Sequence, residues 1–153
     1  MTIIKVSDNL YRGNHPIEWA DFARLNSYEI KNILNLESGL YELFKADINH
    51  EIEMATKFCI DVNHLQMSPV MPPNLEEIKT TLDIIDQNKG NTFIHCFSGV
   101  DRTGCIIAAY RVTKQSWTIQ DAMEEMLEMG HHWFLRWWDP IIRKNLKTLQ
   151  ETR

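Results

Sequence analysis

The sequence predicts an α/β fold built on a central, mostly parallel sheet of four to five strands with helices on both faces. Short apolar runs rich in β-branched residues alternate along the chain with longer segments whose apolar residues recur at helical spacing. Strands and helices that alternate in this way form parallel sheets, because each helix returns the chain to the edge where the next strand begins. The 153 residues, 44% of them hydrophobic, are enough for a single domain over residues 1–153 with its own core.

The first half of the chain contains three predicted strands and two predicted helices. Ser7 and Asp8 mark a turn between two short strands, and a longer apolar run follows as a buried strand. Proline is well tolerated in the first turn of a helix, so a helix is expected to begin at Pro16. The predicted elements are the strands 3–6, 9–12 and 30–36, the helix from Pro16 and a helix over 40–57.

Capping residues define most of the elements in the second half. Asn74 and Glu77 have the spacing of a capping box. Thr118 and Asp139 are further candidates for N-caps, because each has a side-chain oxygen and precedes a helix-compatible segment. The predicted elements are a strand over 62–65, a proline-rich loop over 66–73, a helix from Asn74, a strand over 92–94, a helix from Thr103, a helix from Thr118 to Met129 that Gly130 ends, and a last helix from Asp139.

The stretch from Asn91 to Tyr110, NTFIHCFSGVDRTGCIIAAY, has the pattern of a strand, a tight loop and a helix. Gly99 lies in the middle of the loop, where a backbone can need a positive φ or a close approach to a ligand. A loop of successive backbone N–H groups that runs into a helix N-terminus binds anions. The stretch therefore predicts a phosphate-binding loop at the carboxyl end of a central strand, where open α/β sheets bind their ligands.

Two side chains at the ends of this loop supply chemistry. Arg102 can bind two phosphate oxygens with its planar guanidinium. Cys96 would lie under the phosphorus, and the backbone N–H groups and helix dipole that bind phosphate also favour the thiolate, which is the nucleophilic form. One loop would therefore bind the substrate, activate the thiol and stabilise the transition state.

The pattern His95-Cys96, five residues, then Arg102-Thr103-Gly104 resembles the signature of the cysteine-dependent protein-tyrosine and dual-specificity phosphatase superfamily. The resemblance implies that Cys96 is the nucleophile, that Arg102 clamps the phosphate, that Thr103 hydrogen-bonds the thiolate and that His95 orients the loop. It also implies a substrate-binding set, which consists of His95, Phe97, Ser98, Gly99, Val100, Thr103 and Gly104.

Sequence outside the loop is similar to a bacterial dual-specificity-like subgroup with Asp-Arg-Thr-Gly in its loop, which includes tyrosine-phosphatase-like inositol phosphatases. The landmarks are Leu10-Tyr11-Arg12-Gly13, Ile33-Leu34-Asn35-Leu36, Tyr110-Arg111, Trp117, Ala122 and Glu125-Met126. The resemblance therefore implies a phosphatase that needs no metal and no cofactor.

The proton donor for the leaving oxygen is not assigned by the motif. Most members of the superfamily carry an Asp on a mobile loop before the Cys, but the corresponding loop 66–73 contains neither Asp nor Glu. Asp101, inside the phosphate loop, is the best candidate, and a turn-tightening role is the alternative. His64, near the end of its predicted strand, is a second candidate, although a structural role is more common for such a histidine.

The segment 130–138 is predicted to be part core and part rim of the pocket, because it contains four aromatic residues. His131 and His132 lack the spaced partners of a metal site, so no metal is expected there. Arg136 could meet a second phosphate or be solvated. Cys59 could form a protective disulfide with Cys96, as in some superfamily members, or be a small buried side chain.

Composition limits the partners and the compartment. The net charge of −5 argues against nucleic acid and anionic membranes as general partners. The three cysteines show no disulfide framework, and a reactive thiol needs reducing surroundings. No signal peptide or long apolar span is recognised, so the cytoplasm is the expected location.

The predicted activity is phosphomonoester hydrolysis through a cysteinyl-phosphate, with an inositol phosphate or a phosphotyrosine protein as the substrate. Dual-specificity protein dephosphorylation is an alternative. Two further alternatives are a phosphate-binding pseudophosphatase and a sulfur-transfer enzyme, since loops that present a Cys on backbone amides serve both. The residues Arg102-Thr103-Gly104 favour phosphate.

Overall fold

A computed structural model, which describes residues 1–38 and 48–152, shows one five-stranded sheet with the strand order β1-β2-β5-β3-β4. The first two strands pair antiparallel, and every other pair is parallel. The predicted mostly parallel sheet is confirmed. The strands are β1 (Ile3–Ser7), β2 (Leu10–Gly13), β3 (Ile30–Asn35), β4 (Asp61–His64) and β5 (Asn91–His95).

Helices cover both faces of this sheet, as predicted. They are α1 (Trp19–Ser27), α2 (Ile48–Lys57), α3 (Leu75–Gln87), α4 (Asp101–Lys114), α5 (Ile119–Glu128) and α6 (Asp139–Glu151), and a 3-10 helix spans Trp133–Trp138. The buried apolar side chains form two clusters, one on each face of the sheet. One includes Phe22 of α1 and Met54 of α2, whereas the other includes side chains of α3, α4, α5 and α6.

Successive apolar residues of the central strands belong to different clusters. In β5, Phe93 packs with α1 and α2, and its neighbour Ile94 packs with the other four helices. Ile33 and Leu34 of β3 divide in the same way. Successive side chains of a strand point to opposite faces, so continuous apolar runs mark strands that are buried on both sides.

Two of the predicted caps are confirmed. The Asn74 side chain accepts a hydrogen bond from the Glu77 backbone N–H at 2.8 Å, and the Glu77 carboxylate accepts one from the Asn74 N–H at 3.0 Å. Thr118 Oγ1 accepts from the Asp121 N–H at 3.1 Å. These contacts satisfy backbone donors that have no partner inside the helix.

Three predicted helix starts need correction or comment. The first helix begins at Trp19 rather than at Pro16, with Glu18 as its N-cap. Asp139 is not an N-cap, because it lies inside the first turn of α6 and its carboxylate binds two other side chains. The predicted helix 40–57 corresponds to α2 from Ile48 onward, and its residues 40–47 lie outside the described residues.

Within residues 1–38 and 48–152, no helix combines the length and the apolar composition that a bilayer crossing requires.

Candidate active site

The predicted phosphate loop lies between the central strand and a helix N-terminus, as expected. Cys96 directly follows β5, and α4 begins at Asp101. The loop is tied to its surroundings by the backbone, since the His15 N–H donates to the Phe97 carbonyl at 3.1 Å. Strands β2 and β3 flank β5 in parallel, so the loop sits at the carboxyl edge of the sheet.

Glycine is required at position 99 for two separate reasons. Its φ is +75°, a conformation that L side chains rarely adopt. A Cβ atom there would also lie 2.2 Å from the Gly13 carbonyl oxygen, so the loop can lie this close to β2 only because residue 99 has no side chain. Arg12 of β2 fastens the same point, because its guanidinium donates to the Gly99 carbonyl at 2.9 Å.

A cavity of about 380 Å³ opens over the loop that joins β5 to α4. Its described lining combines the loop with parts of two other segments, the proline-rich loop and the 3-10 helix. The lining residues are Pro69, Cys96, Phe97, Ser98, Asp101, Arg102, His132, Phe134 and Leu135. Five of the predicted site residues therefore share one cavity, and the four residues from the other two segments complete its wall. The other predicted site residues are not among its described lining; they are His95, Gly99, Val100, Thr103 and Gly104.

Arg102 is buried, and backbone carbonyl groups contact its guanidinium. Its Nη1 donates to the Met67 carbonyl at 3.3 Å and lies 3.5 Å from the Leu36 carbonyl. Met67 belongs to the proline-rich loop, so this loop contributes backbone oxygen atoms to the site although it has no acid. These backbone contacts fix the orientation of the guanidinium, and a guanidinium of fixed orientation suits a tetrahedral oxyanion.

Thr103 does not make its predicted bond to Cys96. Its hydroxyl is fully buried and has no hydrogen-bond partner among the described residues. A buried hydroxyl without a partner is costly, so this oxygen can accept or donate a bond when a ligand or water enters.

His95 lies behind the loop rather than in the cavity and forms the centre of a buried ionic network. Its Nδ1–H donates to the Cys96 carbonyl at 3.0 Å, and its Nε2–H donates to Glu51 at 2.7 Å. Glu37 is 3.3 Å from Nδ1. Burial alone would lower the pKa of His95, but the charges of Glu51 and Glu37 and their hydrogen bonds outweigh it and raise the pKa to about 10. The predicted orienting role is consistent with these contacts.

The Glu37 carboxylate of this network is ionised for the same reason. Burial would raise the pKa of Glu37, but hydrogen bonds from His15 and His95 lower it to about 2. Asn35 supports the second carboxylate, since its side-chain amide donates to Glu51 at 2.6 Å. The loop therefore rests on buried, paired charges, which are costly to break one partner at a time.

The atoms of His15, Glu37 and His95 that could bind a metal all lie within 4.8 Å of one another. The His15 Nδ1 atom is only 2.7 Å from Glu37 Oε1. The contact between His95, whose pKa is raised, and the Glu37 carboxylate contributes to this proximity. The expectation that no metal is needed stays a prediction.

Asp101 is bound by two consecutive histidines. Its Oδ1 accepts from the His131 ring at 2.7 Å and from the His132 backbone N–H at 2.9 Å, and its Oδ2 accepts from the His132 ring at 2.6 Å. Burial alone would raise the pKa of Asp101, but these hydrogen bonds lower it. The contacts favour a carboxylate over a carboxyl group, so Asp101 as the direct proton donor stays a prediction that its surroundings do not support.

His131 is the bridge in this arrangement. Its second nitrogen lies 3.0 Å from Asp139, so one imidazole joins two carboxylates. Burial would lower the pKa of His131, but the hydrogen bonds and charges of Asp101 and Asp139 raise it. Arg136 also binds Asp139, at 2.6 Å, and it is not among the described residues that line the cavity.

His64 has a structural contact. Its Nε2 lies 2.6 Å from the Glu37 carbonyl, and its side chain borders a different cavity from Cys96. Among the described contacts, none supports a role for His64 as an acid.

The other two thiols are distinct from Cys96. Cys59 is exposed, so the expectation of a small buried side chain was wrong. It precedes β4 while Cys96 follows β5, and these parallel strands put the two thiols at opposite edges of the sheet, too far apart for a disulfide. Burial raises the pKa of Cys105 well above its usual value, which leaves that thiol unreactive.

Sequence reasoning did not identify three sets of functional contacts. Arg12 was identified only as part of the similarity to the subgroup, and its hydrogen bond to the Gly99 carbonyl was not predicted. Glu37 and Glu51 are distant from His95 in sequence, so no local pattern links them. His132 was considered only as a metal ligand, and the signal for its true partner, an Asp 31 residues earlier, is created by the fold.

Comparisons with known proteins agree with this geometry. Mouse dual specificity protein phosphatase 18 is 26% identical over 104 residues, which are 64% of this chain and 50% of that protein. Vaccinia virus (strain Western Reserve) dual specificity protein phosphatase OPG106 is 27% identical over 111 residues, 72% of this chain and 58% of that protein. The chain thus spans little more than half the length of these relatives.

Solved structures share the fold. TpbA of P. aeruginosa has a TM-score of 0.79 at 22% identity, covering 98% of this chain and 89% of that one. The core catalytic domain of the PP-IP phosphatase SIW14 of S. cerevisiae, solved with citrate, has a TM-score of 0.71 at 21% identity, covering 84% of this chain and 75% of that one.

The family model of the dual specificity phosphatase catalytic domain matches residues 13–145, a span that contains the loop, its helix and every described cavity-lining residue. The chain belongs to the dual specificity phosphatase catalytic-domain family.

Proposed function

We propose that this protein is a cysteine-dependent phosphomonoester hydrolase that works through a cysteinyl-phosphate intermediate. One observation carries the proposal: Cys96 and Arg102 line the same cavity at the start of α4. A nucleophile, a bidentate cation and a helix N-terminus together meet the requirements for transfer of a phosphoryl group.

The reaction begins when the Cys96 thiolate attacks phosphorus and the bond to the leaving oxygen breaks. The backbone N–H groups of the loop and the Arg102 guanidinium bind the equatorial oxygens, whose charge they stabilise. Water then attacks the cysteinyl-phosphate, the S–P bond breaks, and inorganic phosphate leaves.

The wall of the cavity supports phosphotyrosine as the substrate. Phe97, Phe134 and Leu135 present apolar surface, and Arg102 is the only Arg or Lys among the described lining residues. A substrate with several phosphates needs several cations, whereas a single phosphate on an aromatic ring needs one cation and an apolar wall. A variant of TpbA was solved with pTyr in its site.

An inositol phosphate is the second candidate. The support comes from the structural likeness to SIW14, which is described as a PP-IP phosphatase. The two substrates differ in the number of charges they carry, so relative kcat/KM values on a phosphotyrosine peptide and on inositol hexakisphosphate separate them. The structure-based expectation is a higher value for the peptide.

Replacement of Cys96 by Ser tests the enzyme mechanism. Turnover of 4-nitrophenyl phosphate in the presence of a chelator should fall by more than about a hundredfold, because the thiolate is lost while the anion site remains. Cys59→Ser is the matched control, since this exposed thiol lies at the other edge of the sheet and its variant should keep full activity. Wild-type turnover by Cys96→Ser would contradict the proposal, and an inactive wild-type protein that binds phosphate would indicate a pseudophosphatase.

A thiolate nucleophile works only while it is reduced. This requirement supports the further proposal that the protein acts in the cytoplasm on a phosphorylated protein or small molecule.

A further inference from the structure

We propose that His132 is the catalytic acid and base of this site and that Asp101 positions it. The inference rests on the proposed function and deepens it, because it names the proton donor that the motif does not supply. Both residues line the Cys96 cavity, and the described part of loop 66–73 contributes no carboxylate to that lining.

The hydrogen bond between the two side chains determines which nitrogen of His132 faces the substrate. Asp101 Oδ2 lies 2.6 Å from His132 Nδ1. A carboxylate only accepts hydrogen bonds, so Nδ1 carries the proton that it donates. Nε2 is then the nitrogen that gains and loses a proton, and no hydrogen bond of Nε2 to a described residue is found. Asp101 also fixes the backbone at the same point, through the His132 N–H at 2.9 Å.

The exposure of the two residues suits the two roles. The side chain of His132 is 42% exposed, whereas that of Asp101 is 11% exposed. A proton donor must reach both substrate and solvent, while its positioning residue does not. Asp101 is further held as a carboxylate by His131, which is itself paired with Asp139.

The charges around His132 act in opposite directions. The Asp101 carboxylate stabilises a protonated imidazole, and Arg102 and the protonated His131 oppose it. The thiolate of Cys96 adds a negative charge to the same cavity before substrate binds. An imidazole in this setting can both give and take a proton, and the two steps of the reaction require both.

The two chemical steps balance with His132 as the only proton carrier. In the first, the Cys96–phosphorus bond forms, the bond from phosphorus to the leaving oxygen breaks, and the Nε2 proton passes to that oxygen. In the second, neutral Nε2 takes a proton from the attacking water, the new oxygen–phosphorus bond forms, and the S–P bond breaks to restore the thiolate. The histidine ends protonated, as it began.

His132→Gln tests the proposal with two substrates of different leaving-group basicity. On a phosphotyrosine peptide, kcat/KM should fall by about 10²–10⁴-fold, the usual contribution of general acid–base catalysis. On 4-nitrophenyl phosphate the first step needs little protonation, so its loss should be far smaller and the cysteinyl-phosphate should accumulate, which intact-protein mass measurement detects. His50→Gln, the same change at an exposed position of α2, is the control and should leave both activities unchanged.

Asp101→Asn separates positioning from proton donation. If Asp101 acts through His132, the basic limb of the kcat/KM profile moves to lower pH, because the imidazole loses a stabilising charge. NMR titration of the His132 ring in the Cys96→Ser protein should show the same shift in the Asp101→Asn background, without any need for activity.

Equal losses on both substrates in His132→Gln, or disappearance of the basic limb in Asp101→Asn alone, would overturn this assignment and leave the proposed hydrolase intact. Wild-type turnover by Cys96→Ser would overturn the proposed function itself.

Discussion

At the scale of single residues, the orientation of each group in the site is fixed by its hydrogen bonds to neighbouring residues. Arg102 rests on the Met67 carbonyl, Gly99 is bound by Arg12, and Asp101 is bound by His131 and His132. Backbone carbonyls and paired charges leave these groups little freedom to reorganise when a substrate binds. Preorganised charge of this kind supplies most of the transition-state stabilisation in many enzymes.

Arg102→Lys should impair catalysis severely. An ammonium group cannot form the two parallel hydrogen bonds of a guanidinium and cannot hold the Met67 carbonyl and a phosphate oxygen in the same geometry. We expect kcat to fall by about 10²–10³-fold, the cost of removing one oxyanion donor, in steady-state assays with 4-nitrophenyl phosphate. Arg136→Lys, a change at a half-exposed residue paired with Asp139, is the control. A near-wild-type kcat/KM for Arg102→Lys would remove this residue from the mechanism.

At the scale of elements, short sequence patterns predicted the features that depend on residues close together in the chain. The Asn74 capping box, the apolar strands and the loop between β5 and α4 were predictable because the interacting residues are neighbours in sequence. The first helix begins three residues after Pro16, because the Glu18 carbonyl accepts the first helical bonds, from the Asp21 and Phe22 N–H groups. The Asp21 carboxylate in turn accepts from the Glu18 N–H. The contacts of Asp101 with His132 and of His95 with Glu51 could not be predicted, because tertiary packing brings together residues that share no periodic pattern.

Asn74→Ala should destabilise the protein by about 0.5–2 kcal/mol, the usual cost of an N-cap. The variant loses the bond from the Glu77 N–H and leaves the Glu77 side chain without its capping geometry. Lys79→Ala, at an exposed position of the same helix, is the control and should change stability by less than about 0.5 kcal/mol. Urea unfolding followed by circular dichroism measures both, and equal midpoints for the two variants would contradict the capping role.

At the scale of the whole molecule, the charged network beneath the loop links stability to pH. The folded state raises the pKa of His95 from 6.5 to about 10, so the stabilisation is complete below pH 6.5 and is lost as pH rises through 10. It lowers the pKa of Glu37 from 4.5 to about 2, so that part is complete above pH 4.5 and is lost as pH falls through 2. Both contributions are complete between pH 4.5 and pH 6.5.

His95→Gln should therefore be less stable than the wild type, and the deficit should shrink as pH rises. Urea unfolding at about pH 5.5, 7.5 and 9 measures this difference, since over that range His95 loses its proton in the unfolded wild type but keeps it in the folded wild type, and the variant has no such group. His50→Gln controls for general effects of a histidine substitution at an exposed site. A deficit that stays constant with pH would show that His95 contributes through packing and not through its charge.

The strand order carries a consequence for how the protein is made. The first hairpin, β1 and β2, meets the rest of the sheet only through β5, and so do β3 and β4. During synthesis, the β1-β2 pair and the β3-β4 pair therefore cannot join into one sheet until β5 leaves the ribosome. The strand that joins them is also the one that ends in Cys96. The continuous sheet therefore requires the same segment that carries Cys96, so the chain cannot complete the sheet before this cysteine has been synthesised.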